Sequence, residues 1–214
     1  MRRRDDNDSP MRDVRSAGLI TTKRANESDT IVLFHTALGW MAMVGADAGL
    51  KRLTFGHESP EAALGHLEPA IRADALVGSW NLPLVKRLQA YAHGARDDFR
   101  DVPLDLGPQT EFQRRVRDCC RRVAYGRTSS YGELALDAGY PRAARAVGSC
   151  MAGNPVALVI PCHRILASGG RLGGYSARQG TCMKEWLLRL EGTSGAPAGP
   201  ARPPVRARNS TATQ

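Results

Sequence analysis

Around residues 99–108, FRDVPLDLGP, the sequence changes its hydrophobic period. Upstream, TIVLFHTALGWMAMVGADAGLKRLTFGH carries two β-rich runs on either side of Gly39 and a third after the turn-like ADAGL, the pattern of an antiparallel meander. Leu82, Val85, Leu88 and Ala92 then recur at three-to-four spacing around Pro83, which predicts a helix. Downstream the pattern is mostly helical. The Pro and Gly of the intervening segment read as a linker, so the expected fold class is α+β, with a domain boundary near residue 103.

Helix caps are legible in the second half. Thr110 with Gln113 forms a capping box ahead of a face made by Phe112, Val116, Cys120 and Val123, and that helix is expected to stop near Gly126. Ser130 with Glu133 caps a short second helix ending at Gly139. Pro141 suits the first position of a third helix, PRAARAVGSCMAG, which Gly153 and Asn154-Pro155 close. A final helix with Met183, Trp186, Leu187 and Leu190 on its apolar face runs to about Glu191. Two short helices joined by a Gly-Tyr turn match a helix-turn-helix, whose second member would carry Arg142 and Arg145, although many helical hairpins bind nothing.

Outside the body, residues 1–28 are polar and mixed in charge, and residues 193–214 are rich in Pro, Ala, Ser and Thr. Both are expected to be disordered tails, leaving domains at 29–103 and 104–192. No apolar stretch approaches the roughly 18 residues of a membrane span, and the start lacks the apolar region of a secretory signal. A cytoplasmic location follows as an expectation, or a nuclear one if the source is eukaryotic, with no membrane partner. Five cysteines in such a chain argue against a disulfide framework, and none has the CxxC spacing of a structural zinc site. No metal and no cofactor are expected. Of the net charge of +9, residues 104–191 hold most, with thirteen basic against seven acidic side chains. Charge of that kind fits a polyanionic partner or simply a solvated arginine-rich surface.

The stretch NPVALVIPCHRIL, Asn154 to Leu166, sets Cys162 beside His163 at the end of an aliphatic run. An imidazole near a thiol lowers its pKa or accepts its proton, raising the reactive thiolate fraction. In an extended segment the two side chains would face opposite ways, so pairing needs a turn, which Pro161 favours, or a bridging water. The residues alone leave open that Cys162 merely continues the buried run while His163 faces solvent.

TEFQ, YGRTSSYGELA, PRAARAVG, GNPVALVIPCHRI, GGYS and KEWLLRLEG, in this order and nearly this spacing over residues 104–191, resemble the O6-alkylguanine-DNA alkyltransferases, or methylated-DNA–protein-cysteine methyltransferases. Residues 31–103 resemble that family's smaller N-terminal α/β domain, of ribonuclease H-like topology, more loosely. The resemblance implies a single-turnover repair protein, a monomer, acting on double-stranded DNA that contains O6-alkylguanine. Cys162 would accept the alkyl group. His163 would be the water-relayed base, oriented by Glu191. Tyr131 would donate to the purine ring nitrogen and the Ser176 backbone would bind O6. Arg145 corresponds to the finger that replaces the flipped nucleotide, Asn154 braces the turn between recognition helix and active site, and Pro161 and Tyr175 line the base pocket.

Elementary chemistry agrees with those roles. A base whose damaged atom lies inside the duplex must be extruded, at a cost of a few kcal/mol. The departing purine gathers negative charge, so donors placed around it are the expected catalytic device. Two departures from the family pattern stand out. Arg117 occupies a position that is often aromatic, and Ala177-Arg178-Gln179-Gly180 replaces a glycine-rich loop after the pocket serine.

Overall fold

The computed structural model describes residues 29–177 and 179–193, so the expected tails, apart from Thr193, and Arg178 lie outside the described residues. Strands β1 (Thr30–Thr36), β2 (Gly39–Ala46) and β3 (Gly49–His57) form the expected antiparallel meander. Thr36 closes the first hairpin, its hydroxyl donating to the Gly39 carbonyl at 2.9 Å and accepting from the Leu38 N–H at 3.0 Å. A short β4 (Leu76–Val77) lies parallel to β1, giving the order β3-β2-β1-β4.

The alternation of β2 divides its side chains between two layers. Met41 and Met43 enter the large core beneath helix α3 (Leu82–Ala92), whereas Ala42 and Val44 pack with Ala63 and Leu67 around helix α1 (Pro60–Gly65). A second short helix, α2 (Pro69–Asp74), leads into β4. In α3, Leu84, Val85, Leu88, Tyr91 and Ala92 are buried, while Leu82 sits in the first turn and faces solvent.

The helical half comprises α4 (Glu111–Arg122), α5 (Tyr131–Asp137), α6 (Ala144–Ala152) and α7 (Thr181–Leu190). Both expected capping boxes are present, Thr110 with Gln113 and Ser130 with Glu133. Pro141 does not start α6, contrary to its apparent cap role. The Ala143 N–H bonds the Tyr140 carbonyl and Arg142 takes a left-handed φ of 72°, so the turn must finish before the helix begins at Ala144. Two-residue strands β5 (Ser129–Ser130) and β6 (Ile165–Leu166) pair in parallel and hold the start of α5 beside the segment that follows Cys162.

The two halves share one core, and backbone pairing joins them at β3. The Leu50 N–H bonds the Pro103 carbonyl and the Leu53 N–H bonds the Pro155 carbonyl, each at 2.9 Å. The linker and the segment ahead of the cysteine thus extend the free edge of the meander. Gly49 is required there: its φ is 138°, and a Cβ would stand 2.7 Å from the Pro103 carbonyl oxygen.

Candidate active site

The aliphatic run before Cys162 is a compact turn. After Val156 docks on β3, the Ile160 N–H bonds back to the Val156 carbonyl and Leu158 adopts a φ of 72°, a conformation unfavourable for a branched side chain that persists only when its surroundings enforce it. Leu158, Val159 and Ile160 supply the enforcement by complete burial. Asn154 closes the turn from inside. Its Oδ1 accepts from the Val156 N–H at 3.1 Å, and its Nδ2 donates to the Ile160 carbonyl at 2.8 Å and to Cys162 Sγ at 3.2 Å.

Buried Pro161 then leads into a single 3-10 turn, Cys162–Arg164, in which Cys162, His163 and Arg164 are all buried. His163 therefore does not face solvent. The thiol is not a resident thiolate either: burial pushes its pKa up, and the Asn154 donor, the Lys184 charge, its own backbone N–H and the Tyr175 hydroxyl only partly offset this. The expected enrichment in thiolate by a neighbouring imidazole is absent among these influences. The sulfur is buried and held toward its thiol form, surrounded by groups that favour its anion once the proton leaves.

Behind the turn lies a sealed polar cluster. His163 Nε2 stands 3.0 Å from Glu191 Oε1, and Arg164 grips the same carboxylate through Nε and Nη2, each at 2.9 Å. Tyr91 donates its hydroxyl to Oε1 at 2.6 Å. Arg164 Nη1 continues to Asp98 Oδ1 at 2.9 Å and the Val123 carbonyl at 2.6 Å. Burial pushes the Glu191 carboxyl up, but His163 and Arg164 outweigh it and hold the group well below the usual carboxylate range. Burial pushes the His163 imidazole down, against the pull of Glu191. A carboxylate only accepts, so the ring hydrogen of neutral His163 belongs on Nε2. Nδ1 then presents a lone pair, buried and without a protein partner among the described residues.

In front of the sulfur the molecule is open. A cavity of about 500 Å³ is lined by Cys162, Tyr131, Arg145, Tyr175 and Ser176, and a second of about 410 Å³ shares Cys162, Tyr175 and Ser176 but runs toward β3. Tyr131 begins α5 half-buried, Arg145 lies exposed in the first turn of α6, and Ser176 is exposed at the rim. The fold thus gathers Tyr131, Arg145, Asn154, Pro161, Cys162, His163, Tyr175, Ser176 and Glu191 into one region. Sequence reading passed over Tyr91, Asp98, Arg164 and Lys184. Lys184 is fully buried, donates to the Ile165 carbonyl at 2.5 Å and to the Leu172 carbonyl, and is pushed by burial down to about 8, with Cys162 and Cys120 opposing. Arg164 was signalled by its place in PCHRI; the other three had no local cue.

Comparison with known proteins identifies this arrangement. Residues 111–193 match the family described as 6-O-methylguanine DNA methyltransferase, DNA binding domain. A methylated-DNA–protein-cysteine methyltransferase of Methanosarcina acetivorans is 33% identical over 167 residues, which cover 75% of this chain and 97% of that protein. The chain belongs to the methylated-DNA–protein-cysteine methyltransferase family. A crystal structure of Mycobacterium tuberculosis OGT in complex with DNA superposes on this methyltransferase chain with a TM-score of 0.62 and 32% identity, covering 76% of this chain and 92% of the other. A DNA base-flipping protein of Thermus thermophilus is 41% identical over 128 residues, 59% of this chain and 84% of that one. All five cysteines of this methyltransferase are free thiols.

Proposed function

We infer that the protein repairs O6-alkylguanine in double-stranded DNA by moving the alkyl group irreversibly onto Cys162. The observation that carries this reading is a buried neutral thiol at the back of an open cavity, with the sealed Glu191–His163 pair behind it. In the proposed step His163 Nδ1 takes the thiol proton through a bridging water, and Glu191 orients the ring and favours its charged form. Sγ attacks the alkyl carbon, a C–S bond forms, and the C–O6 bond breaks with its electron pair passing to the purine. Tyr131 donates to the ring nitrogen and the Ser176 backbone to O6 as that charge develops. Asn154 and Tyr175 favour the thiolate, and Pro161 and Tyr175 shape the base pocket. A thioether is a poor leaving group in water, so each chain acts once.

The approach to DNA is assigned to α5 and α6 as a helix-turn-helix. Support comes from their short length, the capping box that starts α5, the tight turn between them, and exposed Arg145 at the cavity mouth, placed to enter the stack as the base leaves it. The order β3-β2-β1-β4 with a parallel fourth strand supports a ribonuclease H-like N-terminal domain, divided from the rest near residue 103. We take the protein to act as a monomer, in the cytoplasm or, if the source is eukaryotic, in the nucleus. Among the described residues no helix is long and apolar enough to cross a membrane. A lesion-binding role without repair, which the base-flipping relative brings to mind, would not need the equipped thiol.

Intact mass spectrometry after incubation with an O6-methylguanine duplex tests the reading. One methyl group per chain, mapped to Cys162 and abolished in Cys162→Ser, is the expected result. Turnover beyond one equivalent, or a methyl group on Cys119, Cys120, Cys150 or Cys182, overturns it.

A further inference from the structure

The two cavities in front of Cys162 meet at the sulfur and share the wall formed by Cys162, Tyr175, Ser176 and Ala152. One opens beside Tyr131 and Arg145, where the flipped base would enter. The other, of about 410 Å³, continues away from that mouth to Leu53 and Phe55 of β3. A methyl group on O6 would leave it almost unused. A longer substituent on the reacting carbon has this cavity as its path.

The wall of that second cavity holds a charge with no ion-pair partner among the described residues. Arg117 of α4 is only 9% exposed. Its Nη1 donates to Gln109 Oε1 at 2.7 Å and its Nη2 reaches the Gly153 carbonyl at 3.4 Å, both neutral acceptors. Its Nε is buried without a partner, and Arg117 makes no ion pair among the described residues. The other arginine on the wall, Arg52, is already held by Glu68 at 3.0 Å. A buried guanidinium without a carboxylate is costly, because neutral acceptors replace its hydration poorly and a free donor replaces it not at all. Gly153, which Arg117 touches, adjoins Asn154, which bonds Cys162 Sγ, so one peptide unit and one side chain connect the guanidinium to the nucleophile.

We propose that this cavity is an acceptor site for O6 substituents that end in an anion, with Arg117 as the residue that selects a carboxylate at the far end of the alkyl group. The proposal rests on the repair reading above and names a substrate class for it. Chemistry at the sulfur is unchanged: the thiol proton passes through the bridging water to His163, Sγ bonds the carbon attached to O6, the C–O6 bond breaks with its electron pair passing to the purine, where Tyr131 donates, and the product is an S-(carboxyalkyl)cysteine. A carboxylate drawn to the same pocket without a cation would oppose the thiolate forming beside it. Arg117 offsets that opposition through a charge-assisted hydrogen bond.

The test compares second-order transfer rates from duplexes carrying O6-carboxyalkylguanine, with spacers of one to five methylenes, against O6-alkylguanine of equal length ending in a methyl group. O6-methylguanine serves as reference, with intact mass as readout. At one spacer length or more, the carboxylate should react about tenfold or more faster than its neutral isostere, the worth of one charge-assisted hydrogen bond to a buried group. That ratio should fall to one or below in Arg117→Met and be largely kept in Arg117→Lys; being internal to each variant, it is insensitive to a loss of folded protein. A wild-type ratio of one or less at every length overturns the proposal without the use of any variant. So does a ratio above one that survives Arg117→Met. Failure to transfer even a methyl group would instead strike the repair reading itself.

Discussion

Two arginines on opposite sides of Cys162 live in unlike surroundings. Arg164, at 1% exposure, is spent on Glu191, Asp98 and the Val123 carbonyl, whereas Arg145 is exposed at the cavity mouth and its guanidinium forms no ion pair among the described residues. One region of the molecule is closed, cross-linked and dry; the other is left open. Reaction at a saturated carbon asks for both, because the nucleophile must be held in line by something rigid while an entire nucleotide must reach it from outside. Removing a residue from the closed side should therefore harm the fold, and removing one from the open side should harm only delivery.

The strongest challenge to that division is Arg164→Met. It leaves Glu191 and Asp98 without their main counter-charge, and breaking a buried ion pair from one side costs about 3–5 kcal/mol. Urea unfolding should show an unfolding free energy lowered by that amount, and a loss under about 1 kcal/mol would mean that the closed side is not the brace described. Arg145→Ala should leave stability within about 0.5 kcal/mol of the parent. Transfer from duplex DNA should nonetheless slow tenfold or more, with much less effect on free O6-benzylguanine, which needs no extrusion. Equal loss on both substrates would move Arg145 from delivery to pocket support.

Acid sharpens the same contrast. Glu191 and His163 both have folded pKa values below their ordinary ones, so as pH falls the unfolded chain takes up protons that the folded chain refuses. Their stabilising effect is complete above the ordinary range of each group. It is lost as pH falls, first for His163 below about 6.5 and then for Glu191 below about 4.5. Stability measured from pH 7 to pH 3 should decline, and Glu191→Gln, though less stable at neutrality, should decline less steeply. A parallel decline would place the sensitivity elsewhere. The smallest effect is expected from Tyr175→Phe, which removes one of the influences favouring the thiolate. Its pH–rate profile for methyl transfer should move to higher pH; a profile that stays in place would show that the hydroxyl does not act on the sulfur.

What could be read from the sequence divides along similar lines. The meander and the capping boxes of α4 and α5 were legible because their signals are local, contained within a few residues of Gly39, Thr110 and Ser130. Pro141 misled because a residue well suited to a helix start is equally suited to a turn, and the left-handed Arg142 decided for the turn. The nine candidate site residues came from ordered motifs. The closed cluster did not, since Tyr91 and Glu191 are separated by 100 positions and Arg164 and Asp98 by 66. Buried Lys184 on α7 defeats a reading of that helix by apolar spacing alone.

The partner of His163 comes from the end of α7, and this has a consequence for a chain still on the ribosome. Cys162 is made 29 residues before Glu191. At ordinary rates of synthesis that interval is roughly one and a half to six seconds. Throughout it the Cys162 and His163 side chains are already in the chain while the carboxylate that partners His163 is not. If the proposed relay holds, an unfinished chain lacks the group that orients its base, and reaction at the thiol waits on the last helix.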